Sequence, residues 1–460
     1  MGTPIALQGL WRTADTVETE RLRRLHDALR TGPLGRRVVR SRVPGARDRW
    51  QLSSRAHPLD VSAAALPPEE VLAWADGRGT ELDPERGPGW RLSAAPLTDG
   101  GTIVVLTCSH VLADARGLIF AVEAALSAAG NRTEEGGVEP GDAPAVAPDP
   151  GGDPDSDWAD AAQTCATVLS GTARALWTRF VGEPPSAAAE PLGGDLPAGR
   201  PGDLPAGDAG DILGPRTAHL EADRHYPVRF DNNGRARGHP VTPGSEFPVP
   251  GIVLRCPAAE WERVGAAAGG TANSLFIWFV ANTLWAAGFP EPRIIASLPV
   301  DTRDEPRIDN DLAMTEIALA PGDDPADIRA KSRAAYEHRM SSPGGLPEEF
   351  LHLVPDRVAY RLSRGAGERD ILCSNIGAIP ASLHSLGPHA CTGVAARAIH
   401  PGLTYVRRPR TRMSGYLCRF RDDYLLTLVS LAPEYAADPT ALERPAERIA
   451  ERIGLPVMVW

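Results

Sequence analysis

His110 and Asp114 stand four residues apart in Cys108-Ser109-His110-Val111-Leu112-Ala113-Asp114-Ala115-Arg116-Gly117. Histidine is the side chain whose ordinary pKa lets it take up and return a proton near neutrality. An acid four residues on can hold the local turn and leave one ring nitrogen free as a general base. That base would deprotonate an alcohol or amine, which then attacks an activated carbonyl. The same spacing recurs at His219/Asp223 and His352/Asp356, so context has to choose. His219 follows a Pro/Gly-rich stretch with no strand before it, and Pro355 interrupts the third pair. Only His110 follows an apolar run, Thr102 to Cys108, that reads as a buried strand, and precedes Leu118 to Leu126, which reads as an amphipathic helix.

The elements that must position this pair follow from pattern. Trp90 to Leu97 pairs with the Thr102 run across Thr98-Asp99-Gly100-Gly101, a strong hairpin signal. Leu22, Leu25 and Leu29 share one face of a helix that Gly32-Pro33 ends, and residues 36–42 read as a strand. Ser156 to Val181 reads as a helix with acids at its N-terminal end. The second half alternates strands (252–256, 294–300, 317–320, 371–375, 416–421, 424–430) with helices (258–268, 273–287, 325–338, 439–452), an α/β pattern. Residues 131–157 and 183–214 are crowded with Pro, Gly, Ala and Asp and are expected to be mobile. The division read from this is an N-terminal lobe, 1–182, a linker, 183–216, and a C-terminal lobe, 217–460.

Bulk properties narrow the class. At 460 residues the chain can build two well-cored lobes. A net charge of -11 argues against nucleic acid as a partner, because phosphate neutralisation needs a basic face. The stretch Met1 to Leu7 lacks a secretion signal, and the longest apolar run, Leu275 to Phe289, is interrupted by Asn282 and too short to span a bilayer. It reads as a buried helix. Six scattered cysteines without a Cys-x-x-Cys indicate neither a zinc site nor a disulfide framework, so no metal is expected and a reducing cytoplasm is. The hydrolase elbow, the P-loop, the dinucleotide fingerprint and the zincin motif are all absent from the sequence.

The stretch around His110 resembles the His-His-x-x-x-Asp-Gly signature of the condensation-domain and acyltransferase superfamily, which includes chloramphenicol acetyltransferase, peptide-synthetase condensation domains, polyketide-associated acyltransferases and wax-ester/diacylglycerol acyltransferases. Further matches follow in the family's order over roughly residues 20–435. Gly270-Thr-Ala-Asn273-Ser resembles the Ala-Thr-x-Asn-Asp helix start, and Ser297-Leu-Pro-Val-Asp301-Thr-Arg303 resembles the Pro-Val-Asp-Leu-Arg strand. Asn310 to Leu319 and Cys373-Ser-Asn375-Ile-Gly-Ala-Ile-Pro resemble later strands. Two positions depart from the signature. Ser109 replaces the first His, and Ala115 replaces the Gly, whose loss adds a Cβ and asks for an ordinary negative φ.

The resemblance implies two chloramphenicol-acetyltransferase-like sandwich lobes with a tunnel between them. It implies an acyltransferase in which His110 is the base that joins an acyl thioester to a small alcohol or amine, giving an ester or amide. It also implies that Asp114 forms a buried pair with Arg303 and supports the site rather than reacting. Ser374 and Asn375 are candidate oxyanion donors, Asn273 is a candidate for the tunnel wall, and Thr271 reads as a helix cap. Arg407, Arg408, Arg410 and Arg412 form the densest basic run in the chain and suit the phosphate of phosphopantetheine or an acidic carrier protein. Acyl-CoA or a phosphopantetheinyl carrier protein is the expected donor, with no tightly bound cofactor. Two rival readings are a wax-ester or acylglycerol synthase using acyl-CoA, and a catalytically silent condensation-like module that recruits a partner.

Overall fold

The hairpin read from the sequence forms one side of a six-stranded sheet. Strand β5 (Trp90–Pro96) pairs antiparallel with β6 (Thr102–Ser109), Trp90 opposite Cys108 and Pro96 opposite Thr102. A computed structural model of the chain describes residues 4–130, 157–169, 245–247, 249–337 and 368–460. These residues fall in one compact unit, residues 1–175 with 244–460; the other unit, 176–243, lies outside the described residues. So do the expected linker, 183–216, and most of 131–157.

The six-stranded sheet is completed by β1 (Ala6–Thr13), β4 (Asp60–Val61), β11 (Ser385–Leu386) and β12 (His389–Ile399), in the order β11-β12-β1-β6-β5-β4. Its central strand, β1, lies between β6 and β12, and β12 comes from the far end of the chain. A small ribbon, β2 (Arg36–Val39) with β3 (Arg49–Leu52), stands apart from it in the hydrogen-bond pattern. Helix α1 (Thr19–Thr31) buries Leu22, Leu25 and Leu29, the stripe that its spacing predicts. Helices α2 (Val71–Asp76) and α3 (Ala115–Ala128) also contribute to this core, the latter through Leu118, Ala121, Val122, Ala125 and Leu126. A further helix, α4, covers residues 157–169.

The second sheet has seven strands: β7 (Gly251–Pro257), β8 (Ile294–Asp301), β9 (Leu312–Leu319), β10 (Ile371–Ala378), β13 (Met413–Phe420), β14 (Asp423–Ser430) and β15 (Met458–Val459), ordered β15-β7-β14-β13-β10-β8-β9. Helices α5 (Ala258–Ala267), α6 (Ala272–Ala286), α7 (Pro325–Glu337) and α8 (Pro439–Arg452) pack around it. Nearly every position of α6 from Ser274 to Leu284 is buried, and Asn282 and Thr283 satisfy themselves on the carbonyls of Trp278 and Phe279. Among the described residues no single helix is long and apolar enough to cross a membrane; α5 and α6 reach that length only together, across a bend of 85°. Strand β9 starts earlier than its sequence signal at 317–320, because Leu312, Ala313 and Met314 also pair with β8. Cys108, Cys256, Cys373, Cys391 and Cys418 are buried free thiols.

Candidate functional site

Strand β6 delivers His110 one step past its last paired residue, where its backbone N–H donates to the Ile5 carbonyl at 2.9 Å. Side chains alternate across a strand. His110 therefore faces a cavity, while Ser109, the position where the signature has its first histidine, is buried and is absent from the cavity wall.

One ring nitrogen of His110 is occupied by Asn310. The Asn310 Nδ2 donates to the His110 carbonyl and, at 3.4 Å, to that of Val111. With its amino group committed to two carbonyls, the Asn310 Oδ1, 3.2 Å from His110 Nδ1, can only accept. The proton thus sits on Nδ1 and the lone pair on Nε2, the arrangement a general base needs. Sequence spacing gave no signal for Asn310 as a partner, because it approaches from 200 residues away.

Asp114 caps α3 and accepts from Gly117 N–H at 2.9 Å, from Asp311 N–H at 3.1 Å and from Arg303 Nη2 at 2.6 Å. Arg303 in turn donates to the Arg307 carbonyl at 3.1 Å, to Asp301 at 2.9 Å and to the Asp309 carbonyl. The Arg303 and Asp114 side chains are only 8% and 5% exposed. The segment 301–311 is clamped from a second side by Arg36, which pairs with Asp309 at 2.7 Å, donates to the Leu112 carbonyl at 2.7 Å and lies over the Trp50 ring at 3.9 Å. Burial lowers the Arg36 pKa, and Asp309 opposes that shift. Both arginines bind the motif loop to the segment that carries Asn310.

Ala115 starts α3 in ordinary helical backbone, so the missing motif glycine costs no strain here. The tight approach falls instead at Gly117, where a Cβ would stand 2.2 Å from the Ile308 carbonyl oxygen. Backbone cannot yield as a side-chain tip can. Gly117→Ala should therefore push α3 off the 301–311 segment and lower any turnover by tenfold or more, and unchanged turnover with an unchanged melting temperature would show that the approach is not required.

The cavity has a volume of about 290 Å³ and is walled mainly by apolar side chains, among them Leu7, Leu106, Ile119, Ile376, Leu383 and Val394. Its polar groups include His110, Asp301, Arg116, Ser374, Asn375 and His400. Ser374 and Asn375 are in the wall, and the Asn375 amide is partly committed: Nδ2 donates one N–H to Asn273 Oδ1 at 2.9 Å and Oδ1 accepts from Gly377 N–H at 3.0 Å. Asn273 is outside the wall; its Nδ2 donates to Tyr336 Oη at 3.4 Å, and Thr271 forms a capping box with Ser274 at the start of α6.

None of the four clustered arginines lines this cavity. Arg408 and Arg412 both approach Glu434, the latter at 3.8 Å, and Arg410 stands 3.7 Å from Asp370 with its side chain 57% exposed. Arg407 is exposed at the end of a short helical turn.

His400 is the cavity residue that sequence reading missed. Burial, and then the nearby His110, push its pKa down to about 4. The unfolded chain, with an ordinary value near 6.5, takes up the proton first on acidification. Stability present above about pH 6.5 is therefore lost as the pH falls to about 4, by up to about 3 kcal/mol at 1.36 kcal/mol per unit. Denaturant titrations of wild type and His400→Gln across that window should diverge by this amount; parallel curves would mean that the ring charges freely in the folded state.

No family model and no curated protein matches the sequence. Solved structures do match its fold. The first condensation domain of the CDA synthetase is 16% identical with a TM-score of 0.54, over 97% of this chain and 90% of that one. Polyketide synthase associated protein 5 from Mycobacterium tuberculosis is 13% identical at 0.50, over 98% and 94%. The wax ester synthase/diacylglycerol acyltransferase from Marinobacter aquaeolei VT8 is 13% identical at 0.51, over 99% and 96%. Against the longer nonribosomal peptide synthetase FmoA3 (16% identical, TM-score 0.51), 98% of this chain spans 40% of that one. The chain thus shares its mixed α/β fold with this condensation domain, the polyketide synthase associated protein and the wax ester synthase.

Proposed function

We propose that the protein is an acyltransferase that joins an acyl thioester to an alcohol or amine, with His110 as general base. The observation that carries this reading is His110 lining an apolar cavity with its Nδ1 held by Asn310, an arrangement that leaves Nε2 as the nitrogen available to a substrate. The acceptor gives its proton to Nε2 as its oxygen or nitrogen bonds to the thioester carbon. The resulting oxyanion collapses, the C–S bond breaks, and the imidazolium returns the proton to the departing thiolate. No metal or tightly bound cofactor takes part. The apolar wall suits a hydrocarbon acyl group, and the buried Asp114–Arg303 pair supports the site without exchanging protons. Donors of this class, CoA or a carrier protein, put the reaction in the cytoplasm.

The test is thiol release from acetyl, octanoyl and palmitoyl thioesters in the presence of an amine or alcohol. Release that depends on acceptor and on His110 supports the proposal, and no release with any thioester removes it. Phosphate recognition by the arginine run is part of the same proposal, with Arg407 and Arg410 as its exposed members. Exchanging both for Gln should raise the donor KM several-fold for CoA thioesters and leave phosphate-free N-acetylcysteamine thioesters unaffected. Equal losses with both donors would make the run structural.

A further inference from the structure

His400 enters the cavity beside His110 with no counterpart in the motif that drew attention to His110. Ala6 of β1 pairs with Ser109 on one side and with Ile399 on the other. One residue further along the sheet, Ile5 therefore lies between His110 and His400. Directly opposed residues of antiparallel strands point to the same face, and Ile5, His110 and His400 all line the cavity. Two strand spacings separate the backbones of the two histidines by about 10 Å. Imidazoles projecting from both edges toward one space can hold a small reacting centre between them.

The two rings are held differently. His110 Nδ1 is bound to Asn310. The His400 ring makes no hydrogen bond among the described residues, and its nitrogens are not sealed in the core. A cavity group without a protein partner has its hydrogen-bonding capacity left for a ligand. The charged side chains that share the cavity with it are Asp114, Arg116, Asp301, Arg303 and Arg397; Asp114 and Arg303 are paired with each other, and Arg397 with Asp76. With its pKa near 4 the ring is neutral at physiological pH, so it keeps one N–H to donate and has no proton to give away. A neutral imidazole can polarise a carbonyl without becoming a competing acid. Of the two amide side chains in the wall, Gln8 donates to the Ala75 carbonyl and Thr107 Oγ1, and Asn375 gives one of its N–H groups to Asn273.

We infer that His400 is a second catalytic residue, which donates its N–H to the thioester carbonyl oxygen as that oxygen becomes the oxyanion of the tetrahedral intermediate. The role rests on the acyl-transfer reading above. His110 takes the acceptor's proton on one side of the reacting carbon while His400 holds the negative oxygen on the other. When the carbonyl re-forms and the thiolate leaves, His110 returns the proton and His400 is unchanged.

The test measures thiol release from octanoyl-CoA with benzylamine or 1-butanol as acceptor, in wild type, His110→Ala, His400→Ala, His400→Gln and Ser374→Ala. His400→Ala should lower kcat about 10²- to 10³-fold with KM changed less than about threefold, the signature of losing one oxyanion donor. His400→Gln, which retains an N–H at similar reach, should recover most of that loss. Full activity in His400→Ala while His110→Ala is inactive overturns the role of His400 and leaves the acyl-transfer reading standing. So does a loss confined to Ser374→Ala, which would move the donor to that hydroxyl. No release by wild type removes both proposals. A separate check is imidazole nitrogen NMR, in which His400 should remain neutral at pH 5.5; a ring already charged at pH 6 overturns the inference.

Discussion

His110→Ala should lower the rate of thioester consumption by about 10²- to 10⁴-fold while the melting temperature changes little. Among the described residues the ring makes one hydrogen bond, to Asn310, and it lines the cavity. Asn310 keeps its two backbone carbonyls when the ring is removed, so the loop stays in place. A rate within threefold of wild type would show that another group takes the acceptor's proton. Asn310→Ala should give a smaller loss of the same kind, because it frees the ring to choose the wrong tautomer.

Asp114→Ala should act in the opposite way, damaging the fold before the chemistry is reached. Its carboxylate holds two backbone N–H groups and the Arg303 guanidinium. Removing it leaves a nearly inaccessible arginine cation with, among the described residues, only Asp301 as a charged partner, and stranding one member of a buried pair costs about 3 to 5 kcal/mol. Urea unfolding should show a midpoint shift of that size with an unchanged slope. A loss below about 1 kcal/mol would mean that Asp301 and the surrounding carbonyls suffice for Arg303.

The hairpin of β5 and β6, the stripe of α1 and the helices of the second half were legible because each is a local pattern of two or 3.6 residues. Strands β1 and β12 were not. β1 carries Gln8 and Gly9, and β12 has four alanines and a glycine among its eleven residues with Arg397 near its end, a composition that is poor for strands. Tertiary partners make it acceptable: Arg397 is buried on Gln8, the Leu72 carbonyl and Asp76. Gly9 makes room for the Trp11 ring, which a Cβ there would meet at 2.6 Å. Because β12 joins the first sheet from the end of the chain, the cut into 1–182 and 217–460 does not describe which residues share a sheet.

The site divides in the same way. His110 was legible from strand, turn and helix in order, and Arg303 from the resemblance. Asn310 and His400 were not: Asn310 was read only as the start of a strand resembling the family's, and each reaches the site through long-range pairing that local sequence does not reveal. Conversely, the arginine run stands out in sequence but is partly absorbed by Glu434 and Asp370, neighbours that no local pattern reveals.

The central claim is that the acyl group moves from sulfur to an acceptor, and intact-mass analysis of a single turnover measures this directly. With an octanoyl thioester and benzylamine, the account predicts octanoyl-benzylamide and free thiol in equal amounts from wild type, and their formation at least about 10²-fold more slowly from His110→Ala. Thiol released with octanoic acid as the only acyl product, or the same amide from His110→Ala at the wild-type rate, would contradict it.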